Sequence, residues 1–309
     1  DIWLSTFTFG NITSTVEGAA LNLGEAMTPI TLNYTSQAPP GSTIYGNGSV
    51  WDISSYTVNV GLPSTIDPGF NFHLVVGDVI YFDGECSTAS WSPCRGRELW
   101  AYDTSNQTGW LVKDIGPTFF SGNPGKHWNE AILMGDTLYF DAISTGSWQQ
   151  NKWELHAFDT SNQTLWQITN STASYPISSP GNGDVRDTLP KVIGDTIFFA
   201  YDDGLTGKEL WAHNGLNGTT WQVADINSGT HSSPGERLAK VVDEVLYFSA
   251  MDGTYVGRHY LWAHNPSNGS TWKTSSEFNF VCTPSGARRC HDVVANGIIY
   301  FQGDEEYAN

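Results

Sequence analysis

Clustered carboxylates are the first side chains in this 309-residue sequence that could do chemistry. Asp202 and Asp203, and again Asp252, follow apolar segments at equivalent places in the sequence. Oxygen-rich loops of this kind can bind Ca²⁺, although the spacing does not match an EF-hand loop. The sequence therefore predicts ordinary acidic turns, with a calcium site as the alternative and no other cofactor.

Catalytic motifs do not accompany these carboxylates. The sequence contains no Gly-X-Ser-X-Gly elbow, no His-Glu-X-X-His helix and no phosphate-binding loop. His213 and His264 occupy the same place in a repeated pattern where Tyr102 and Phe158 stand in other copies, which indicates a structural role. We therefore expect that the protein is not an enzyme.

Three tryptophans lie in loops outside the positions where the repeats place their aromatic residues: Trp91, Trp128 and Trp148. A loop aromatic that blade packing does not need is free to stack on a sugar or another ligand. These residues form the candidate ligand surface, with local loop packing as the alternative.

Cysteines and glycosylation sequons indicate an oxidising, extracellular setting. Cys86 with Cys94, and Cys282 with Cys290, are two close pairs in turn-rich loops, and local disulfides are the preferred interpretation over free thiols or a four-cysteine metal site. The eight Asn-X-Ser/Thr sequons favour a secreted glycoprotein. They lie at Asn11, Asn33, Asn47, Asn106, Asn162, Asn170, Asn217 and Asn268.

The net charge of −18 argues against two classes of partner. Nucleic acids and anionic membranes both attract basic surfaces, so neither is expected to bind. No segment approaches the roughly 18 apolar residues of a membrane-spanning helix. The sequence begins with Asp1 rather than Met, so we expect a processed product or an excerpt of a longer protein.

The elements that must position these residues form a repeat. Its first piece is an apolar hairpin with Gly-Asp or Asn-Gly at the turn, residues that tolerate positive φ. The hairpins span 74–82, 132–140, 192–199, 241–248 and 293–301. A Glu-Leu-Trp strand and a Trp-containing strand follow. The Glu-Leu-Trp strands are Glu98–Asp103, Glu154–Asp159, Glu209–Asn214 and Tyr260–Asn265.

Equivalent aromatic residues recur with a period typical of β-propellers. Tyr81, Tyr139, Phe198, Tyr247 and Tyr300 are separated by 58, 59, 49 and 53 residues. Four short strands in about 50 residues predict an all-β protein whose residues 69–309 form a propeller of about five blades. The apolar hairpin is expected innermost and buried on both faces. The Trp-bearing strands are expected to pack one blade against the next.

These repeats resemble the Glu-Leu-Trp repeats of secreted and cell-surface bacterial and archaeal proteins. The likeness covers about residues 72–303 and is carried by Glu-Leu-Trp, by the turn Asp103–Asn106 and by Val112–Ile115. It departs at His156, where the tryptophan is absent, and at Tyr260, where the glutamate is absent. The resemblance implies an extracellular propeller and no agreed catalytic residues.

Residues 1–68 form a separate segment of short strands broken by Pro-Pro-Gly and Gly-Asn-Gly. The runs 23–30, 43–46 and 56–58 resemble the immunoglobulin-like modules of large microbial surface proteins. A small immunoglobulin-like β segment is therefore expected before the propeller.

The fifth repeat suggests how the chain assembles. A Glu-Leu-Trp strand is due after Phe301, and the triplet Asp1-Ile2-Trp3 is of the required kind. We therefore expect residues 1–10 to complete the last blade of the same or a neighbouring subunit. The residues of this assembly strand are Asp1, Ile2, Trp3, Leu4, Phe7 and Phe9.

Three functions are compatible with this pattern. The preferred one is an extracellular structural protein, a subunit of a filament or surface assembly that forms a homo-oligomer or polymer by strand addition. The alternative is a glycan- or ligand-binding propeller module of an adhesin. A propeller polysaccharide lyase or hydrolase is the third, because fold alone does not determine function.

Overall fold

The computed structural model describes most of the propeller and four short strands of the N-terminal segment. The described residues are 5–9, 12–16, 43–45, 48–50, 69–86, 96–106, 108–116, 121–128, 130–145, 152–171, 189–255, 257–274, 278–279, 292–301 and 304–305. Every regular element among them is a β-strand, so the prediction of an all-β protein is confirmed.

Two hairpins lie in the N-terminal segment. Strands β1 (Ser5–Phe9) and β2 (Ile12–Val16) pair with each other, as do β3 (Thr43–Tyr45) and β4 (Gly48–Val50). The other runs that suggested an immunoglobulin-like module lie largely outside the described residues, and that module stays a prediction.

Four consecutive blades follow, each an antiparallel sheet of four strands in chain order. The first contains β5 (His73–Val76), β6 (Val79–Cys86), β7 (Gly96–Asp103) and β8 (Thr108–Lys113). The second contains β9 (Ile132–Met134), β10 (Thr137–Thr145), β11 (Lys152–Asp159) and β12 (Thr164–Gln167). The third contains β13 (Lys191–Ile193), β14 (Thr196–Asp202), β15 (Lys208–Asn214) and β16 (Thr220–Ala224). The fourth contains β17 (Ala239–Val242), β18 (Val245–Ala250), β19 (Tyr260–Asn265) and β20 (Ser270–Lys273).

Fewer strands of the fifth repeat are described. Strand β21 (Phe278–Asn279) pairs with β24 (Asp304–Glu305), and β22 (Asp292–Ala295) pairs with β23 (Ile298–Phe301). The sheet β22–β23 corresponds to the first two strands of a blade and is called the fifth sheet below.

The tight turns form as their residue types predict. Gly77, Gly135 and Gly194 open two-residue turns with φ between 56° and 61°. In the fourth blade Asp243 and Glu244 both have positive φ, at 49° and 60°, which matches the hairpin turn whose twist follows that of the strands.

The burial of the strands corrects the expectation that the whole apolar hairpin is buried on both faces. The second and third strands are buried on both faces, as in β14 and β15. The first strands alternate, and β5 exposes His73 and Val75. They are edge strands, and β13 contacts β17 of the next blade, which places these edges nearest the common axis. In the four complete blades only the second strand of the apolar hairpin is therefore enclosed on both faces.

The core consists of apolar layers between neighbouring blades. Tyr81 and Leu99 of the first blade pack with Leu138 and Phe140 of the second. The same contact recurs between the second and third blades and between the third and fourth. Each blade thus presents one face to the blade before it and the other to the blade after it, which confirms the β-propeller.

The fourth strands correct part of the expectation that the Trp-bearing strands pack one blade against the next. Trp166, Trp221 and Trp272 on the fourth strands are 42%, 40% and 39% exposed, so these rings lie partly at the surface. The third-strand Trp100 is fully buried. Packing between blades therefore rests mainly on the inner three strands, and the fourth strands add the partly buried Trp110, Leu165 and Val223.

Candidate functional site

The fifth sheet differs from the complete blades in having one apolar face open to solvent. Its other face packs on the fourth blade, where Ile299 and Phe301 contact Leu238 and Leu261. On the open face Val293, Ile298 and Tyr300 are 56%, 53% and 53% exposed. Exposed apolar residues gathered on one face indicate an interaction site.

Equivalent residues in the complete blades show how unusual this exposure is. Tyr81 and Tyr139 stand where Tyr300 stands, and each is 3% exposed. Phe198 at the same position is fully buried. The next blade covers these rings, and no described element covers Tyr300.

The fifth sheet also differs in the pairing of its second strand. In each complete blade the second strand pairs with a third strand. Among the described residues the sheet that contains β23 has β22 as its other strand. The open face forms the candidate assembly site.

Residues of the predicted assembly strand are found in a different pairing. Strand β1, which contains Phe7 and Phe9, pairs with β2. Asp1, Ile2, Trp3 and Leu4 lie outside the described residues. Completion of the last blade by the N-terminal segment thus stays a prediction.

The glutamate of the Glu-Leu-Trp strand is a buried acceptor and not a surface charge. The Glu98 carboxylate accepts hydrogen bonds from the backbone N–H groups of Ile115 (2.6 Å), Gly116 (3.1 Å) and Gly122 (2.7 Å). These residues belong to the connection that leaves β8 for the second blade. The carboxylate therefore holds the connection between blades.

The same contact recurs in the next two blades. Glu209 accepts from the N–H of Ile226 at 2.8 Å and from the Ser232 hydroxyl at 2.7 Å. Glu154 accepts from the Ser171 N–H at 2.9 Å. We call Glu98, Glu154 and Glu209 the clamp glutamates.

Burial changes the proton affinity of these groups. Removal from water raises the pKa of Glu98 to about 8 and that of Glu209 to about 7. Glu236 behaves in the opposite way, because a hydrogen bond from His259, whose Nε2 lies 3.3 Å away, lowers its pKa to about 2. Glu98 and Glu209 are thus destabilised as anions, and Glu236 is stabilised as one.

Two blades lack one member of the motif and still form four strands. His156 replaces the tryptophan, stacks on Phe140 with ring centroids 6.2 Å apart, and has its pKa lowered to about 4 by burial. Tyr260 replaces the glutamate, and the Lys273 ammonium lies 3.3 Å from its ring centroid. Both replacements are buried, so the departures preserve the packing role.

A second repeated contact was not anticipated from the sequence. Asp83 Oδ1 accepts from the N–H groups of Asn71 (2.8 Å) and Phe72 (3.0 Å), just before β5. Ser249 Oγ accepts in the same way from Arg237 (3.0 Å) and Leu238 (3.2 Å). A polar side chain on the second strand thus fixes the residues that enter the blade.

A sequence signal for this contact was available. Pro-Gly recurs at 68–69, 124–125, 180–181 and 234–235. Gly69, Gly125 and Gly235 have φ between 70° and 74° and donate their N–H to Asp83, Asp141 and Ser249 respectively, at 2.7–2.8 Å. A recurring Pro-Gly therefore marks the entrance of a blade.

Trp128 lies at such an entrance, which corrects its assignment to a ligand surface. The side chain is 5% exposed, and its ring packs between the second and third blades with its centroid 6.4 Å from that of Phe199. The neighbouring His127 and Trp128 N–H groups donate to Asp141. Trp91 and Trp148 lie outside the described residues.

The carboxylates considered for calcium are used within their own loops. Asp203 accepts from the N–H groups of Leu205 and Thr206, and Asp252 forms a 2.8 Å ion pair with Lys273. Asp202 accepts from Gly204. Among the described residues no group of three or more His, Cys, Asp and Glu side chains could hold a metal ion. The structure does not support a calcium site there.

The histidines at equivalent repeat positions are structural. His213 and His264 are 3% and 4% exposed, and their Nδ1 atoms lie 2.8 and 2.9 Å from the hydroxyls of Thr220 and Thr271. Cys86 ends β6, and the other three cysteines lie outside the described residues. Both disulfides stay predictions.

Four sequons occupy one equivalent turn in the four blades. In this turn the asparagine accepts both the N–H and the hydroxyl of the residue two positions later. Asn217 accepts from Thr219 at 2.9 and 2.6 Å, and Asn268 accepts from Ser270 at 2.9 and 2.7 Å. Asn106 and Asn162 form the same turn. The Asn-X-Ser/Thr pattern is thus required by the turn itself, and these sequons are weaker evidence for glycans than their number suggests.

The remaining sequons do not belong to these turns. Asn170 is exposed beyond β12, and Asn11, Asn33 and Asn47 lie outside the described residues. Glycosylation at all eight positions stays a prediction.

A cavity of about 530 Å³ at the start of the first blade is a second candidate site. It is lined by 69–74 with Glu130 and Ala131. Phe70 is 73% exposed there, and the Arg97 guanidinium carbon lies 4.8 Å from its ring centroid. An exposed aromatic ring beside a cavity could stack on a ligand.

Comparisons with known proteins do not identify a family. No protein-family model and no curated protein matches the sequence. Solved structures that are similar include a puromycin hydrolase (11% identity, TM-score 0.41, 74% of this chain and 32% of that one) and a prolyl endopeptidase (11%, 0.44, 78% and 32%). A putative TolB from Agrobacterium tumefaciens has 9% identity and a TM-score of 0.34, with 66% of this chain and 63% of that one covered. The chain spans about a third of the length of the two hydrolases, and the likeness concerns the fold alone.

In the described part of the chain no helix is long and apolar enough to cross a bilayer.

Proposed function

We propose that this protein is an extracellular structural protein, a subunit of a filament or cell-surface assembly that is joined by addition of β-strands between copies. The observation that carries the proposal is the fifth sheet, where Tyr300 is 53% exposed while the equivalent Tyr81, Tyr139 and Phe198 of other blades are buried. Contact with another copy would cover that face.

The charge and the resemblance support the extracellular setting of this proposal. A net charge of −18 keeps single copies soluble, so assembly has to come from a specific apolar contact. The Glu-Leu-Trp repeats resemble those of secreted surface proteins. The expected partner is therefore another copy of this chain.

Deletion of residues 1–16 tests the proposal. The full chain should form polymers that are visible by electron microscopy and by light scattering, and the deletion variant should stay monomeric with its blades folded. Deletion of residues 43–50, which removes the other described N-terminal hairpin, is the matched control and should assemble. A full chain that is monomeric at all concentrations, or a 1–16 deletion that polymerises normally, would contradict strand addition.

The cavity beside Phe70 favours a second candidate, a glycan- or ligand-binding propeller module. Phe70→Ala should then abolish retention on a glycan array, and Trp166→Ala, which removes an exposed ring from an outer strand, should not. Equal binding by both variants would remove this candidate.

A further inference from the structure

Each complete blade has the same sequence pattern at the turn between its third and fourth strands. The pattern is Asn-X-Ser/Thr-X-Trp, and it spans 106–110, 162–166, 217–221 and 268–272. The turn itself requires the asparagine and the serine or threonine, because the asparagine Oδ1 accepts the N–H and the hydroxyl of that residue. A tryptophan that remains partly exposed after the turn needs a separate reason.

The asparagine amide and the tryptophan ring lie on the same side of the outer hairpin. In β20 Ser270 and Trp272 are two residues apart, so their side chains point to one face, about 7 Å apart along the strand. The Ser270 hydroxyl donates to Asn268 Oδ1 at 2.7 Å, which places the amide beside that face. The third blade repeats this contact between Thr219 and Asn217 at 2.6 Å. A sugar on the amide nitrogen would therefore lie within reach of the indole ring.

The amide nitrogens of the four asparagines differ in their hydrogen bonds. In the first two blades the third strand ends at an aspartate, and its Oδ2 accepts from the asparagine Nδ2. The distance is 2.8 Å between Asn106 and Asp103, and 2.7 Å between Asn162 and Asp159. In these two turns a carboxylate thus holds the nitrogen to which a glycan would be attached.

An asparagine replaces that aspartate in the third and fourth blades. Asn214 and Asn265 accept N–H groups of their turns through Oδ1. Their other polar atom is an amide nitrogen, which donates and cannot accept. Asn214 Nδ2 donates to the Thr196 hydroxyl at 3.3 Å. Among the described residues no acceptor is hydrogen-bonded to Nδ2 of Asn217 or Asn268.

The space beside the asparagine differs between the same pairs of blades. Gly218 and Gly269 follow Asn217 and Asn268, and a Cβ on either glycine would meet nothing within 4 Å. In the second blade the equivalent residue is Gln163, whose Nε2 donates to the carbonyl oxygen of the same turn at 2.8 Å. A bulky glycan needs an open surface. The open space and the available nitrogen thus coincide in the third and fourth blades.

We propose that Asn217 and Asn268 are the N-glycosylated asparagines among the four blade turns, and that the first sugar stacks on Trp221 or Trp272. The C–H groups of a sugar ring face the electron-rich indole surface in this arrangement. The inference uses the extracellular setting of the proposed function and does not depend on assembly.

The bond changes of this modification require a sugar that is activated as a diphosphate ester. Asn Nδ2 forms a bond to the anomeric carbon, and the bond between that carbon and the phosphate oxygen breaks. The diphosphate leaves with the electron pair, and Nδ2 loses one proton. Oδ1 of Asn217 or Asn268 is not consumed, so the hydrogen bonds of the turn remain.

Reciprocal exchanges at the end of the third strand test the proposal. The folded, unglycosylated protein is incubated with an N-oligosaccharyltransferase and a polyprenyl-diphosphate oligosaccharide, and glycopeptide mass spectrometry measures each turn. Asn217 and Asn268 should be modified at least fivefold faster than the asparagines of the first two blades. The denatured chain is the control and should show no such preference.

Asp103→Asn should raise the modification rate of Asn106 at least fivefold, and Asn214→Asp should lower that of Asn217 by a similar factor. Equal rates at the four turns of the folded parent, or no effect of either exchange, would overturn the role of the acceptor. A folded protein that is modified at neither Asn217 nor Asn268 would overturn the whole inference. Assembly is measured separately by light scattering, so either failure leaves the proposed function standing.

Trp221→Ala tests the stacking of the sugar. Glycosylation should raise the Tm of the parent, and Trp221→Ala should remove about half of that gain, because the glycan on Asn268 keeps its own ring. Trp166→Ala is the matched control, since Trp166 and Trp221 are 42% and 40% exposed, and it should keep the full gain. Equal gains in the two variants would refute the stacking.

Discussion

At the scale of single residues, buried acids are the feature that most influences stability. Glu98 and Glu209 hold the connections between blades through backbone N–H groups. The burial that makes these contacts strong also raises the pKa of each carboxyl group, so the clamps favour the protonated form.

We predict that Glu98 and Glu209 contribute stability that is lost as the pH rises from 4.5 to about 8. Their folded-state pKa values lie above the ordinary value of 4.5, so in this window each group binds more protons in the folded chain than in the unfolded chain. The contribution of His156, whose pKa burial lowers to about 4, changes in the opposite direction below pH 6.5. The lowered pKa of Glu236 removes stability as the pH falls from 4.5 toward about 2.

Glu98→Gln tests this prediction, because glutamine resembles the protonated acid at every pH. Thermal unfolding of the variant should show a smaller loss of Tm between pH 5 and pH 8 than the parent shows. Glu85→Gln, at an exposed glutamate of the same blade, should retain the parent's pH dependence. Parallel curves for parent and Glu98→Gln would contradict the assignment.

A second residue-scale prediction concerns Trp128. Trp128→Ala should lower the free energy of unfolding by about 3–5 kcal/mol, because it leaves a cavity between two blades. Trp166→Ala, at a ring that is 42% exposed, should cost less than half as much. Chemical denaturation measures both, and equal losses would show that Trp128 is not a core residue.

At the scale of the elements, the four sequon turns combine two roles that mutagenesis can separate. Asn217→Asp keeps the oxygen that accepts from Thr219, so the free energy of unfolding should change by less than about 0.5 kcal/mol. Asn217→Ala removes the acceptor and should cost about 1 kcal/mol.

Mass spectrometry separates the turn from any glycan in the same variants. Both substitutions destroy the sequon, so both should lose the mass of a glycan if one is attached at Asn217. Equal stability of the two variants would refute the structural role of the asparagine.

The entrances of the blades give a second prediction at this scale. A Cβ on Gly235 would lie 2.6 Å from Leu189 Cγ, and the residue has a φ of 74°. A Cβ on Gly269, with a φ of 71°, would meet nothing within 4 Å. Gly269→Ala should therefore cost about 1 kcal/mol from backbone strain alone.

Gly235→Ala should cost about 1–3 kcal/mol more than Gly269→Ala, because the core must also shift around the added methyl group. Unfolding in denaturant compares the two variants directly. Equal costs would mean that Leu189 moves freely and that the entrance is not closely packed.

At the scale of the whole molecule, the open face of the fifth sheet should control assembly. Tyr300→Asp places a charge in the proposed contact between copies, where it would be buried without a partner. We predict that the concentration needed for polymerisation rises at least tenfold, while the Tm of the monomer is nearly unchanged. Light scattering across a dilution series and calorimetry measure the two quantities.

Val75→Asp is the matched control for that experiment. Val75 is 60% exposed on a first strand, and Tyr300 is 53% exposed. A loss of assembly in both variants would attribute the effect to added negative charge and not to the fifth sheet.

Much of the fold could be predicted because its signals are local. Two-residue turns, the alternation of apolar residues and the 49–59-residue spacing of Tyr81 and its counterparts each depend on short segments. The order of the strands in a blade follows from short connections between them. Each of these features depends on residues that are close together in the sequence, and the structure confirms them.

Burial and partners could not be predicted in the same way, because they depend on residues that are distant in the sequence. In the sequence Trp128 has the features of an exposed loop residue, but in the structure the third blade covers it. Glu98 likewise has the features of a surface charge in the sequence, but in the structure the connection to the second blade covers it. The exposure of Tyr300 has meaning only beside the buried rings of equivalent blades.

The sequence alone determined the repeat and the turns, because hydrophobic periodicity and turn chemistry act over a few residues. Only the tertiary structure decided which faces are enclosed. Enclosure depends on contacts between blades, and these join residues that are far apart in the sequence.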